Sequence, residues 1–436
     1  MQIRDGIYYY WSGNQIYLRN VNTHQDYLFN DIVFDILETL RNPTDETDLG
    51  NHLLKMYEIN DEKVFRQDIH SFTAYLIQEG ILEADVPDRP DSENQVPSIR
   101  STVEMRCMEE NKLCYATLEL TYRCNERCIH CYVDGMQPVD RELMMTEYEQ
   151  LLRDLRELGC FRVLLTGGEV CLKPEFLEIT RLAVSLGMLV DIYTNGIALD
   201  MKIFQTLCDL HINSVSFSLY GGDAASHDAI TKVPGSFDRT LHYLTLFRCA
   251  GVDTYIKTVA IRQNVKTLES LYQLGKRLQI PVETAFSIAD TQTGQSAQAF
   301  RLGEYSAYYE ALKADLRYKN SKKKAFREVL DLGTPVCLAG RASLSVDPYG
   351  GVHPCVAFSE LAGNIRTKPL AEIWEEAELF RRLRSLTFRD ICPTCESCAD
   401  AEFCQLCPGD AYRGEDGFCP GEEACLLARA LRANQS

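Results

Sequence analysis

The stretch YATLELTYRCNERCIHCYVDG, residues 115–135, decides how the rest of the chain is read. Its first eight residues have the character of a β-strand and run straight into Cys124, Cys128 and Cys131. The resulting C-x3-C-x2-C spacing puts three thiols in one loop. Three thiolates can hold three corners of a cubane iron–sulfur cluster and leave the fourth iron open to a bidentate amino acid. A zinc site or three unrelated thiols compete with that reading. Zinc usually takes four ligands in paired C-x2-C knuckles, and no fourth ligand stands near the three. Spacing favours the cluster and leaves the alternatives open.

Downstream of the triad, apolar segments alternate in length and period. Strand-like FRVLLTGGE (161–169), MLVDIYTNG (188–196), SVSFSLYGG (214–222) and DTYIKTVAI (253–261) are separated by helical EYEQLLRDLRELGC (147–160), FLEITRLAVSLG (176–187), MKIFQTLCDLHI (201–212) and the segment around LHYLTLFRCAG (241–251). TLESLYQLGKRLQ (267–279) adds a further helix. Such βα repetition predicts a parallel sheet with helices outside, either a barrel or an open doubly wound sheet. Gly167, Gly168, Asn195, Gly196 and Gly221 fall at strand ends, where these folds place binding loops.

The other regions differ in kind. IYYYW (7–11) and QIYLRNV (15–21), with Gly13-Asn14 between them, predict a hairpin. NDIVFDILETL, opening after Asn30 as cap, DLGNHLLKMY (48–57) and EKVFRQDIHSFTAYLIQEGIL (62–82) predict three helices, the last stopped near Gly80. The Pro-, Asp- and Ser-rich run 85–101 marks a linker, and RYKNSKKKAFREV reads as a basic surface helix or connector. Of the 18 cysteines, none precedes Cys107 and nine lie between Cys337 and Cys425, where helical and strand signals weaken. A segment of that kind is expected to need metal to fold.

With 45% hydrophobic and 25% charged residues, the composition is that of a globular protein. A net charge of −18 argues against nucleic acid as a partner. No apolar run reaches membrane-spanning length and the start lacks the apolar core of a signal peptide, so a cytoplasmic location is expected.

LELTYRCNERCIHCYVDG closely resembles the cluster loop of the radical S-adenosylmethionine (SAM) superfamily, with His130 in the place of an aromatic that packs on adenine. The resemblance implies a partial (β/α)6 TIM-like barrel over 113–315, a [4Fe–4S] cluster on Cys124, Cys128 and Cys131, SAM on the open iron, and a 5′-deoxyadenosyl radical. Thr166-Gly167-Gly168-Glu169 resembles the family's GGE motif, whose glutamate meets the methionine ammonium, and two glycines let backbone approach the ligand. Asn195 is a candidate SAM contact, Ser218 the candidate ribose contact, and Ser216 reads equally as a core serine. Where relatives often carry an arginine for the SAM carboxylate, this chain has Thr231-Lys232, and Lys232 is the substitute cation.

Cys337, Cys355, Cys395, Cys398, Cys404, Cys407 and Cys425 resemble the SPASM domain, here 316–436, which carries two auxiliary [4Fe–4S] clusters. That resemblance assigns Cys395, Cys398, Cys404 and Cys425 to the outer cluster and Cys337, Cys355 and Cys407 to the inner one. Cys392 and Cys419 remain as a possible fourth inner ligand, and Cys404-x2-Cys407 departs from the family's usual x3 spacing. Auxiliary clusters at negative potential suit a net oxidation of the substrate, such as a crosslink. Residues 1–88 resemble the RiPP recognition element, a winged-helix-like α+β domain that binds the leader of a ribosomal precursor peptide by strand addition, and 89–112 form the linker. Ile16, Tyr17, Leu18 and the outer face of 64–81 are the expected leader contacts. A winged helix on DNA is disfavoured by the acidic balance. The expected reaction is a thioether bond from a cysteine sulfur to a carbon of the precursor, with electrons from a flavodoxin- or ferredoxin-type reductant. Carbon–carbon crosslinking, epimerisation and sulfatase-maturing-type side-chain oxidation are the alternatives.

Overall fold

A computed structural model describes residues 1–12, 15–42, 44–57, 59, 61–83, 99–133, 141–288, 290–291, 296–319, 335, 337–391, 398–412, 417–418 and 421–434. The expected Gly13-Asn14 turn, residues 84–98, the basic run after 319, and Cys392, Cys395 and Cys419 lie outside them, while the second half of the expected linker forms a helix. The chain divides into two compact units, Met1–Cys107 with Leu210–Ile212, and the remainder.

In the first unit β1 (Gln2–Ile3) precedes β2 (Ile7–Ser12), β3 (Gln15–Asn20) and β4 (Gln25–Asn30), followed by α1 (Ile32–Thr39), α2 (Glu46–Met56), α3 (Glu62–Gln78) and β5 (Leu82–Glu83). β2, β3 and β4 form an antiparallel sheet with β3 in the middle, and β1 pairs with β5. The expected hairpin is thus a three-stranded meander. Its third strand was hidden because Tyr27-Leu28-Phe29 abuts the apolar pattern of the next helix. That helix is capped by Asp31, not Asn30, and Asp45 and Asp61 cap α2 and α3 through their carboxylates. Gly80, with φ +68, supplies the left-handed residue just past α3. Ile16, Leu18, Ile36, Leu37, Leu49, Leu53, Ile69 and Leu76 make one core, and each such side chain contributes about 1.5–3 kcal/mol by burial.

After α4 (Ile99–Glu110), six parallel strands run in chain order: β6 (Tyr115–Glu119), β7 (Arg162–Thr166), β8 (Leu189–Thr194), β9 (Ser214–Ser218), β10 (Thr254–Val259) and β11 (Val282–Ala285). Between and after them lie α5 (Met145–Glu157), α6 (Phe176–Ser185), α7 (Met201–Asp209), α8 (Ala224–Thr231), α9 (Ser236–Cys249), α10 (Leu268–Leu278) and α11 (Tyr305–Lys319). This is the expected partial (β/α)6 arrangement, and α11 crosses the expected boundary at 315–316. One face of the strands is apolar, with Ala116, Leu118, Val163, Leu165, Val190, Ile192, Val215, Phe217 and Ile256 buried. Their alternates, among them Glu119, Arg162, Asp191, Tyr193, Ser216, Ser218 and Lys257, are polar. A sheet buried by helices would ordinarily be apolar on both faces, so the polar face is the one set aside for a site. At the N-terminal ends of the strands Asp191 closes that face as a floor. It accepts from Arg162 Nε, Asn213 Nδ2 and Ser214 Oγ, each at 2.5 Å.

The cysteine-rich tail is more ordered than its weak periodicity suggests. β12 (Ser343–Val346) joins the barrel sheet parallel to β6, with Val346 opposite Leu118, and β13 (Gly351–His353) and β14 (Gly363–Asn364) extend it antiparallel. α12 (Leu370–Glu376) and α13 (Glu378–Ser385) bury Leu370, Ile373, Trp374, Leu379, Phe380 and Leu383. The tail therefore has an apolar core of its own, and Cys337 and Cys355 pack against it.

Candidate active site

The site is assembled at the C-terminal ends of the parallel strands, where loops leave the sheet. The cysteine loop follows β6 and is pinned by backbone. Gly168 N–H donates to Thr121 O at 2.7 Å and Glu169 N–H to Arg123 O at 2.9 Å. A Cβ at Gly167 would stand 2.4 Å from Thr121 O, and one at Gly168 would stand 2.4 Å from Arg123 O. The two glycines thus let the β7 turn press against the stem of the cysteine loop, a closer constraint than the approach to a ligand expected from sequence. On the loop's other side, Arg127 N–H and Ile129 N–H donate to Thr231 O and Ile230 O at the end of α8.

Glu169 is 1% exposed, and its carboxylate accepts from Thr194 Oγ1 at 2.7 Å, Asn195 N–H at 2.7 Å and Cys171 N–H at 3.1 Å. It ties the ends of β7 and β8 together. Burial raises its pKa, and those hydrogen bonds oppose the rise. Asn195 in turn donates from Nδ2 to Asn125 Oδ1 at 2.6 Å and faces Cys124 Sγ at 3.8 Å. Ser218 hydrogen-bonds the phenol of Tyr220, which is electrostatically coupled to Cys128, Glu126 and Cys131. His130 meets the Tyr220 ring edge-on at 4.6 Å. Its Nδ1 is buried without a hydrogen-bond partner among the described residues, and burial pushes its pKa down to about 4.

Cys124, Cys128, Cys131, His130, Glu169, Asn195 and Ser218 are therefore linked around one loop. Lys232 is not. It is exposed, and it caps α8 with a left-handed backbone at φ 60. Its neighbour Thr231 is buried and shares a hydrogen bond with Ser236 at 2.8 Å. Sequence reading missed Glu126 and Tyr220. Glu126 is buried, its Oε2 accepts from Cys128 Sγ at 3.1 Å, and its Oε1 has no partner among the described residues. Burial pushes its carboxyl up to about 7. Tyr220 continues the two-residue period of Ser216 and Ser218, a signal available in the sequence.

The cysteines fit a cluster by the hydrogen bonds they receive. The N–H two residues ahead donates to Sγ of Cys124 (3.4 Å), Cys337 (3.3 Å), Cys355 (3.4 Å) and Cys398 (3.4 Å). Backbone N–H groups of Gly409 and Asp410 do the same for Cys407. Cys128 and buried Cys160 have the opposite polarity, their thiols donating to Glu126 Oε2 at 3.1 Å and to Arg162 O at 3.3 Å. A backbone N–H aimed at sulfur favours the thiolate that a cluster needs and opposes the rise that burial imposes. Cys337, Cys355 and Cys407 also lie within electrostatic reach of one another, while Cys398 and Cys425 are exposed. Burial raises the thiols of Cys124, to about 11, and of Cys128 and Cys355. Among the described residues no three His, Cys, Asp or Glu side chains converge on a single ion. A cubane spreads its ligands more widely than one ion does.

In the first unit Ile16, Tyr17 and Leu18 are fully buried, so they cannot be leader contacts. β3 is the central strand, and its neighbours take its hydrogen bonds. The available edges belong to β2 and β4 among the described residues. Beside β4, Phe29 packs on Phe72 and Tyr75 of α3 at 5.7 and 6.5 Å, and Tyr27 stacks on Phe29 at 5.8 Å. Val64 and Tyr75 leave α3 exposed.

Residues 118–275 match the Radical SAM superfamily, and residues 337–399 match SPASM, an iron–sulfur cluster-binding domain. An AdoMet-dependent heme synthase of Methanosarcina barkeri is 28% identical over 332 residues, 71% of this chain and 95% of the relative. The mycofactocin maturase MftC of Mycolicibacterium smegmatis is 29% identical over 299 residues, 64% of this chain and 74% of the relative. The crystal structure of Streptococcus suis SuiB bound to precursor peptide SuiA shares the fold at a TM-score of 0.61 and 15% identity, covering 97% of this chain and 99% of that one. Among the described residues no helix is long and apolar enough to cross a membrane.

Proposed function

We propose that this chain, a radical SAM enzyme with a SPASM domain, matures a ribosomally made precursor peptide by installing thioether crosslinks from cysteine sulfur to carbon. Its domains bring a [4Fe–4S] cluster with SAM, and auxiliary iron–sulfur clusters. When bound, these supply a 5′-deoxyadenosyl radical. Cys124, Cys128 and Cys131 hold the SAM-cleaving cluster in this reading. Cys337, Cys355 and Cys407, and Cys395, Cys398, Cys404 and Cys425, hold the auxiliary ones. Glu169 and Ser218 position SAM, His130 presents a neutral ring to its adenine, and Asn195 steadies Cys124.

The observation that carries the peptide reading is the N-terminal sheet. β4 pairs only with β3 among the described residues and lies beside the aromatic side of α3. A leader strand adds backbone hydrogen bonds along β4 and sets alternate side chains against Phe29, Phe72 and Tyr75. This moves the leader from β3, the strand expected from sequence, to its neighbour. The solved relative of like fold was crystallised with its precursor peptide, and MftC is named as a maturase. The archaeal relative is named for haem, so the N-terminal unit is what turns the reading toward a peptide. A cytoplasmic setting, with a flavodoxin or ferredoxin as electron donor, completes it.

Mass spectrometry of a co-expressed precursor tests the proposal. A loss of two hydrogens per crosslink, with fragments joining a cysteine to another residue, supports it. Joined carbons without cysteine would point to carbon–carbon crosslinking, and an unchanged mass with an altered stereocentre to epimerisation. Cys128→Ala is expected to abolish 5′-deoxyadenosine formation and leave leader binding intact.

A further inference from the structure

Glu119 ends β6 and is 1% exposed, yet no cation reaches its carboxylate among the hydrogen bonds of the described residues. Its partners are two phenols. Tyr132 Oη donates to Oε1 at 2.5 Å, and Tyr122 Oη donates to Oε2 at 3.2 Å. These tyrosines bracket the cysteine loop. Tyr122 stands two residues before Cys124, and Tyr132 directly follows Cys131. The same carboxylate therefore holds the place where the loop leaves the sheet and the place where its last thiol is delivered. Thr166, the residue paired with Glu119 in register, leads into the two glycines that press on the loop stem. The Tyr122 ring also lies edge-on to Tyr349 at 5.8 Å, in the turn between β12 and β13.

A buried carboxylate is costly unless its hydrogen bonds are made, and glutamine would serve two phenols at lower cost. What a carboxylate adds is two strong acceptors in one rigid plane, each tolerating only a donor. Both phenols are then fixed in direction, and so is the spacing between the two ends of the loop. We propose that Glu119 is a positioning residue that clamps both ends of the cysteine loop through Tyr122 and Tyr132, and so sets Cys131 for the geometry in which the cluster accepts SAM. The inference rests on Cys124, Cys128 and Cys131 being the ligands of that cluster.

The test uses the full chain, reconstituted anaerobically, with three readouts: iron and sulfide per chain, the change in the electron paramagnetic resonance spectrum of the reduced cluster on adding SAM, and the Kd for SAM. Glu119→Gln and the double variant Tyr122→Phe/Tyr132→Phe keep the volume and change only hydrogen bonds. Both are expected to load iron, to bind SAM about tenfold more weakly, and to lose most of the SAM-induced spectral change, as fits the loss of about one charge-assisted hydrogen bond. Adding Glu119→Gln to the double Phe variant is expected to bring no further loss, because carboxylate and phenols act as one unit. Wild-type SAM affinity and spectra in either variant would overturn the clamp, as would losses that simply add. A purely structural role would lower iron content and thermal stability while leaving the response of loaded protein unchanged. If the wild-type chain itself shows no SAM-dependent spectral change, the ligand assignment fails before the clamp is put to the test.

Discussion

Lys232 occupies a position where glycine would be at ease. Its φ of 60 puts a long side chain in the left-handed region, which disfavours non-glycine residues by about 1 kcal/mol or more. Lys232→Gly is therefore expected to raise stability by roughly 0.5–1 kcal/mol, read from denaturant melts, and to leave the Kd for SAM unchanged. A weakened Kd would return Lys232 to the SAM site. His227, four residues before the end of α8, offers a second test. Tyr220 N–H donates to its Nδ1 at 3.1 Å, so the neutral ring carries its proton on Nε2, and burial lowers its pKa from 6.5 to about 4. The unfolded chain binds that proton more readily than the folded one. Stability from this group is complete above pH 6.5 and is lost as the pH falls toward 4. Urea midpoints of the apo chain at pH 7 and 5 are expected to differ less in His227→Asn, whose Oδ1 can still accept from Tyr220. At this scale the grouping of Cys124, Cys128 and Cys131 in one loop after a strand was legible, because it follows from spacing alone. The fate of Lys232 was not, since a local motif does not reveal which backbone region its residue adopts.

The turn after β7 shows how an element can be recognised and its reason misread. Thr166-Gly167-Gly168-Glu169 is legible as a motif, but its glycines answer to the backbone of residues 121–123, a contact between segments distant in sequence. Gly168→Ala would drive a Cβ to 2.4 Å from Arg123 O, which only backbone movement relieves. The expected cost is about 3 kcal/mol or more, with iron content falling in parallel. Gly421→Ala, which meets no described atom within 4 Å and has no positive φ, is the control, and as a helix N-cap it is expected to cost no more than about 1 kcal/mol. The barrel strands β6 to β10 were legible from their apolar runs. β4, β11 and β12 were not. β4 merges into the apolar pattern of α1, and β12 is only four residues long, drawn into a strand by the edge that β6 offers it.

For the molecule as a whole, the distribution of thiols predicts a divided response to metal removal. The core of the first unit contains no cysteine, whereas Cys337 and Cys355 line the core of the tail. Chelation of iron from anaerobic holoprotein is expected to raise amide hydrogen exchange across 337–425 and around 122–132, and to leave 7–78 protected. Uniform protection loss would mean that the metal stabilises the chain some other way. The change of pattern between the first unit and the strand–helix alternation that follows it could be read from composition and periodicity. The stitching of the tail into the barrel sheet could not, because it depends on a pairing between residues 115–118 and 343–346. That pairing also orders events during synthesis. Until the ribosome has passed Ser343, the edge of β6 is uncovered, and an uncovered parallel edge invites mispairing with other nascent chains. The β6 edge is covered only once residues 343–346 have been made. A ribosome stalled between α11 and β12 is therefore expected to leave a product with that edge open and prone to aggregate.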